Sequence, residues 1–191
     1  MGNVFIIFGI SAVGKSSVMH GLLQRCANLK RIITCTTRGC RIGEEQGIDY
    51  HFIAKEDIQE MLRTGDALMY DRVYTNEYCV SKREIDAALC QGFDAIFTSS
   101  SNMLENGALE QMRELYGVIP VGIINNDFNV VRQRLLDRGS DSGASLDERI
   151  NKMKAEHDII VRNCSLCIEN NDLEQCVAKM QALYQSADKE N

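Results

Sequence analysis

No apolar run in this chain approaches the length that a membrane span requires. The amino terminus also lacks the charged, apolar and small-residue layout of a secretory signal. These two absences lead to the expectation of a cytoplasmic protein with no membrane partner. Basic residues are outnumbered, with 21 Lys and Arg against 27 Asp and Glu and a formal net charge of −6. A broad nucleic-acid surface would be basic overall, so no nucleic-acid partner is expected, although a local basic pocket can still hold anionic phosphate. Tryptophan is absent and there is one proline, and neither scarcity bears on function. Cysteine is not scarce. Eight cysteines without a secretory layout point to a reducing compartment and free thiols. Cys164 and Cys167 form the one close pair, and a zinc site would want a second pair or a histidine pair, so packing as small apolar residues is the expectation. A length of 191 residues suits one compact domain with a sizeable core.

What is present begins at once. Val4 to Phe8 is apolar, β-branched and aromatic, as a buried parallel strand should be. Gly9-Ile10-Ser11-Ala12-Val13-Gly14-Lys15-Ser16-Ser17 follows and reads G-x-x-x-x-G-K-S, a phosphate-binding loop. From Val18 to Cys26 the apolar residues Val18, Leu22 and Leu23 recur like one helix face. In that strand–loop–helix setting, Gly9 and Gly14 let the backbone wrap so that its N–H groups converge on phosphate oxygens. The helix beginning near Lys15 adds its positive end. Lys15 then reaches the β- and γ-phosphates of a nucleoside triphosphate, and the Ser16 hydroxyl can ligate Mg²⁺.

The remaining chain alternates strands and helices. Strands are expected at Arg31–Cys35, Asp49–Ile53, Ala67–Tyr74, Asp94–Thr98, Val118–Ile124 and Ser165–Glu169. Helices are expected over Glu56–Leu62, Ser81–Gln91, Leu104–Tyr116, Asn129–Arg138, Ser145–Arg162 and Leu173–Tyr184, two of them opened by the capping boxes Ser81–Glu84 and Ser145–Glu148. Such alternation predicts an α/β fold, a parallel sheet with helices on both faces, and a ligand at the carboxyl ends of the strands. The Gly43–Val80 stretch, with two or three short strands and one helix, reads as a small inserted subdomain. A polar loop precedes it. There Arg38 and Arg41 stand three apart, with Tyr50 and Tyr78 further on, and together they would suit a second anionic group.

At these residues the sequence resembles the guanylate kinases. The family pattern T-T-R-x-x-R-x-G-E-x-x-G-x-D-Y-x-F is met at every specified position by Thr36, Thr37, Arg38, Arg41, Gly43, Glu44, Gly47, Asp49, Tyr50 and Phe52. Arg134-Leu135, Arg138-Gly139 and Glu148-Arg149 match a later R-L-x-x-R-G and E-R pattern, and Asn170-Asn171-Asp172-Leu173 is similar to the family's N-D-D-L. The loop departs from the family's G-x-S-G-x-G-K-S-T at Ala12 and Ser17. The resemblance covers nearly the whole chain.

What the resemblance implies is a P-loop NTPase-type domain over 1–191, with a core (1–36 and 81–191), a nucleoside-monophosphate-binding subdomain (about 37–80) and a lid (about 139–146). It implies ATP as phosphoryl donor, Mg²⁺ as cofactor and GMP as the most favoured acceptor. ATP would be bound by Gly9, Ser11, Ala12, Val13, Gly14, Lys15, Ser16, Ser17, Arg134, Arg138 and Asn170. The acceptor would be bound by Thr34, Arg38, Arg41, Tyr50, Tyr78, Asp71 and Ser100. Lys15, Arg41, Arg138 and Arg149 would carry the catalysis by neutralising charge during transfer. Other acceptors, such as another nucleotide or a sugar phosphate, remain open, as does a non-catalytic guanylate-kinase-like binding module. Oligomeric state is not legible. The family's base-reading half is altered: Met69, Val80, Thr98 and Ser100 stand where it has Glu, Thr or Ser, and two Asp. The expectation is weaker guanine selectivity than the family norm, with Asp71 the first replacement acceptor and Glu77 the second.

Overall fold

The computed structural model describes residues 2–73, 75–137 and 146–187, the side chains of 146–149 excepted. Strand β1 (Asn3–Phe8) is the apolar run before the loop, and Val4 to Phe8 are all fully buried, as befits a strand covered on both faces. It occupies the middle of a five-stranded sheet in the order β2-β7-β1-β8-β9, with β2 at Leu29–Arg31, β7 at Asp94–Ser99, β8 at Gly117–Ile124 and β9 at Leu166–Glu169. β2 runs parallel to β7 and β8 parallel to β9. The α/β class and parallel central sheet expected from the alternation are therefore observed.

A second sheet has the order β4-β3-β6-β5, built from β3 (Cys35–Thr36), β4 (His51–Phe52), β5 (Ala67–Val73) and β6 (Asn76–Ser81). The predicted strand at Arg31–Cys35 is in fact two. Ile32 N–H donates to Ile96 O at 2.9 Å, in register with the central sheet, whereas Thr34 O accepts from His51 N–H at 3.0 Å in the small one. A β-branched run carries no signal that says which sheet it serves, so the change of sheet within three residues is invisible in the sequence. Glu84 ties the crossing point. Its carboxylate accepts from Ile33 N–H at 3.3 Å and meets the His51 ring at 2.6 Å. Half of the predicted capping box is thus made: Ser81 Oγ accepts from Glu84 N–H at 3.3 Å, while the Glu84 side chain is used elsewhere.

The helices are α1 (Lys15–Leu23), α2 (Lys55–Thr64), α3 (Lys82–Cys90), α4 (Ala108–Leu115), α5 (Phe128–Asp137), α6 (Leu146–Asn163) and α7 (Leu173–Ala187). The helix predicted over Leu104–Tyr116 is broken, because Gly107 caps α4 and a separate 3₁₀ turn covers Ser101–Leu104. The predicted lid lies outside the described residues except for Leu146, and so does the capping residue Ser145. Among the described residues no helix is long and apolar enough to cross a membrane.

The chain divides into two compact units. One holds the start of β1, residues 28–97 with the whole small sheet, and Glu105–Ile119. The other holds the phosphate loop, α1, Thr98–Leu104 and everything from Pro120 onward. In the first unit, α2 packs through Ile58, fully buried, onto Cys35 and Cys79 of the small sheet, with Ile53, Met61, Ala67 and Tyr70 around them. Ile58 is the one fully buried residue of α2 and its main apolar anchor. Replacing Ile58 with Ala should cost about 2–5 kcal/mol, the transfer loss plus the cavity left behind, and should appear as a lowered denaturant midpoint.

Candidate phosphate-binding sites

The loop after β1 is shaped by two close approaches. A Cβ on residue 9 would lie 2.8 Å from Ile123 O and from Val13 Cγ1, so glycine is required there for space. Gly14 has φ +102 and is the amino-terminal cap of α1, and Asn170 Nδ2 stands where its Cβ would go. That amide donates to Val13 O at 2.7 Å, pinning the loop from behind. No side chain caps α1, so the N–H groups of its first turn are left to an incoming anion. Lys15 Nζ folds back over the loop, donating to Gly9 O at 2.6 Å and Ile10 O at 3.1 Å. Ser11, Ser16 and Ser17 are exposed, whereas Ala12 and Val13 are buried. Ala12 sits at φ +60, in the left-handed region, at the position where the sequence pattern lacks its glycine.

Asn170, expected at the ATP site, is 3% exposed, and its amide nitrogen braces the loop backbone. Asn125 braces it in turn, donating to Asn170 O at 2.8 Å and Asn171 Oδ1 at 3.1 Å. Glu156 of α6 is a neighbour the sequence did not reveal. Burial raises its carboxyl above the usual range, with Lys152 and Lys15 pulling the other way. Nothing distinguishes it in sequence from the other charged residues of an amphipathic helix. Arg134, in α5, is half-buried in the same unit. Arg138 lies outside the described residues, and for Arg149 the structure gives its place in α6 alone.

The unit with the small sheet assembles a second group. Arg38 follows β3 and is bidentate to Glu44, with Nη1–Oε2 at 2.9 Å and Nη2–Oε1 at 2.8 Å. Its guanidinium lies 5.3 Å from the Tyr50 ring and 5.7 Å from Phe52. Glu44 also accepts from Arg41 N–H at 2.9 Å, so it organises the whole turn, and the Arg38 bond holds its carboxyl below the usual range. Arg41 is exposed. Tyr50 and Tyr78 stand edge to face at 6.4 Å. Burial pushes the Tyr50 phenol up, with Tyr78 next in effect, so it remains a protonated donor at neutral pH. Thr34 is half-buried at the crossing between β2 and β3, where its carbonyl is used by His51.

The register of the small sheet sorts the candidate base-reading residues by face. Across β5 and β6, Leu68 faces Val80 and Asp71 faces Tyr78, so Met69 and Tyr70 together oppose Cys79 in a β-bulge. Directly opposed residues share a face, which puts Asp71 on the Tyr78 side. Met69 is buried at φ +50, and Val80 is buried as well. Glu77, one residue from Tyr78, belongs to the other face. It is 2% exposed, its carboxylate accepts from Gln59 at 3.3 Å, and Lys55 Nζ lies 3.5 Å away. Glu77 is therefore committed to α2. Ser100 lies in the other unit and is half-buried.

Among the described residues no group of three or more His, Cys, Asp or Glu could hold a metal by itself. The donor chemistry that remains, the exposed Ser16 hydroxyl beside an anion cradle, fits Mg²⁺ brought in on phosphate oxygens.

A strand, an uncapped helix and a lysine-bearing glycine loop on a parallel sheet define a phosphate-binding-loop protein of the nucleotide-handling α/β class. The guanylate kinase family model matches residues 1–187, and the chain belongs to that family. It is 28% identical to the guanylate kinase of Alkalilimnicola ehrlichii over 96% of this chain and 88% of that one. It is 31% identical to the guanylate kinase of Idiomarina loihiensis over 82% of this chain and 73% of that one. The fold is similar to the crystal structure of guanylate kinase from Anaplasma phagocytophilum, with TM-score 0.75 and 20% identity, over 97% of this chain and 86% of that one.

The strained Ala12 gives a test of this loop. A left-handed alanine costs about 1–2 kcal/mol, and glycine returns part of that gain as unfolded-chain entropy, so Ala12→Gly should stabilise by about 0.5–1 kcal/mol. A thermal melt should show a rise of about 1–4 °C.

Proposed function

We infer that the chain is an ATP-dependent guanylate kinase, transferring the γ-phosphoryl group of ATP to GMP. The observation that carries this is the intact loop: an uncapped α1 amino terminus with Lys15 beside it, in a chain of the guanylate kinase family. The other-acceptor and non-catalytic alternatives are not favoured, since the curated relatives are named guanylate kinase. We propose a cytoplasmic location with this activity, where free nucleotides are in solution.

In the proposed mechanism the first-turn N–H groups of α1 and the nest around Gly14 bind the β-phosphate, and Lys15 leaves the loop carbonyls to neutralise the β- and γ-oxygens. Mg²⁺, bound with the triphosphate, supplies charge neutralisation, and Ser16 is the residue that would hold it. Arg38, Arg41, Tyr50 and Tyr78 hold the acceptor's phosphate, the tyrosines as neutral donors and the arginines as planar forks. Arg134, Arg138 and Arg149 are proposed to add charge on the donor side. We propose residues 37–80, within the stretch that forms the small sheet, as the acceptor subdomain and 139–146 as a lid that excludes water.

A coupled ADP-release assay with ATP and GMP tests the reading. Lys15→Ala should lose about 10²-fold or more in turnover with its melting temperature little changed. Full activity in that variant would remove the loop from the mechanism.

Base choice is the second part of the proposal. Guanine presents N1–H and N2–H₂ on one edge and needs acceptors facing it. Met69 and Val80 offer none, and Glu77 is held at α2. Asp71, opposite Tyr78 and half-buried, is the carboxylate of the small sheet with the right face. Asp71→Asn should lower kcat/KM for GMP by about tenfold or more while AMP and UMP change little, because an unmet buried donor costs about 1–3 kcal/mol. An unchanged ranking across GMP, dGMP, AMP, UMP and dTMP would exclude Asp71.

A further inference from the structure

Two cysteines of the small sheet stand directly opposite each other. Cys35 of β3 faces Cys79 of β6 in the antiparallel register, one step from the Thr36–Tyr78 pair. Thr37 N–H donates to Glu77 O at 3.0 Å two residues further along, which makes Cys35–Cys79 a hydrogen-bonded pair of the ladder. Such pairs have Cα atoms about 5.5 Å apart, within the range a disulfide spans. The two thiols perturb each other's ionisation, as facing neighbours in the ladder do. They are 5% and 0% exposed and share one apolar cluster with Ile58. The other cysteines are also free thiols, and Cys40, Cys90 and Cys167 are exposed.

We propose that Cys35 and Cys79 form an oxidisable dithiol whose closure to a cross-strand disulfide impairs the acceptor site. Its neighbour Cys79 lowers the Cys35 thiol relative to its ordinary value, against burial, and Cys79 is itself raised by Cys35 and by burial. Cys35 is therefore the attacking sulfur and Cys79 the resolving one. Burial excludes a bulky disulfide reagent and leaves a small peroxide as the oxidant. Cys35 sulfur attacks one peroxide oxygen and the O–O bond breaks, giving a sulfenic acid and one water. Cys79 sulfur then attacks the sulfenic sulfur, the S–O bond breaks, and a second water leaves. Two thiols and one hydrogen peroxide become one disulfide and two waters, the thiols losing the two electrons that reduce the peroxide.

The consequence for function rests on the proposed acceptor site. An S–S bond of about 2.05 Å replaces a longer thiol–thiol contact and draws β3 towards β6. Thr36 and Tyr78 are the next residues on those strands, and Arg38 N–H is held by Thr36 Oγ1 at 3.2 Å. Displacing phosphate-holding groups by a fraction of an ångström weakens the acceptor's grip.

The test treats the full-length reduced protein with hydrogen peroxide, blocks remaining thiols by alkylation, and maps unreduced peptides by mass spectrometry. The expected result is a Cys35–Cys79 linked pair that dithiothreitol releases. In parallel, the KM for GMP should rise by about threefold or more with the KM for ATP unchanged, and reduction should restore it. Cys35→Ser, which removes the attacking sulfur and keeps a polar group of similar size at the site, should show no peroxide-induced rise in the KM for GMP. If that variant does not fold, the native peptide map decides alone. Recovery of Cys35 and Cys79 as free thiols while Cys40, Cys90 or Cys167 is oxidised would overturn the proposal. So would a linked pair with an unchanged KM for GMP. Failure of the kinase reading would look different: the reduced protein would transfer no phosphate, whatever the peptide map shows.

Discussion

The hydrogen bond from Asn170 to Val13 O is the contact on which the phosphate loop depends. It comes from the far end of the sequence, after β9, and reaches the loop only because Gly14 has no side chain to obstruct it. Asn170 is itself fixed by Asn125 and by its own N–H donating to Ile124 O at 2.8 Å. The first turn of α1 takes no side-chain cap, so its N–H groups face the site that the braced loop shapes. Lys15 completes the arrangement by bonding the loop's own carbonyls, which keeps an ammonium close to where phosphate charge would arrive without burying it unpaired.

The small sheet solves a different problem, which is to give two faces of one thin layer opposite uses. One face packs on α2 through Cys35 and Cys79 and buries Glu77 against Gln59 and Lys55. The other carries Tyr78, with Tyr50 and Arg38 stacked beyond it. The bulge at Met69–Tyr70 is what lets β5 serve both, since the extra residue resets which side chains follow it onto the Tyr78 face. Were β5 to alternate regularly from Leu68, Asp71 would face α2 and Tyr70 the open side.

The parts legible in the sequence are those with strong local signals. Continuous apolar strands such as Val4–Phe8, the glycine-marked loop, and the helix starts at Lys15 and Ser81 were all readable, because spacing and turn chemistry act over a few residues. The parts that were not legible depend on distant partners. The division of Arg31–Cys35 between two sheets is decided by Ile96 and His51, both far along the chain. The Glu84 carboxylate leaves its own helix start for His51. Asn170 gains its bracing position from packing that no spacing encodes, and Glu156 carries no motif at all. The break at Gly107 was readable in principle, but the apolar period of Leu104–Tyr116 outweighed one glycine.

The Arg38–Glu44 pair has a consequence for the free protein. An arginine held bidentate by a carboxylate and stacked on two rings has already lost its rotamer freedom, so a ligand that takes it over meets a fork of fixed direction. The same carboxylate sets a threshold. It occupies the Nη1–Nη2 edge of the guanidinium, and a phosphate that carries one negative charge matches it while a phosphate carrying two exceeds it. Phosphate monoesters pass between those charge states near pH 6. In the proposed acceptor site, then, Glu44 makes the doubly ionised phosphate the preferred guest, so that the turn weighs the ligand's charge state before any base is read.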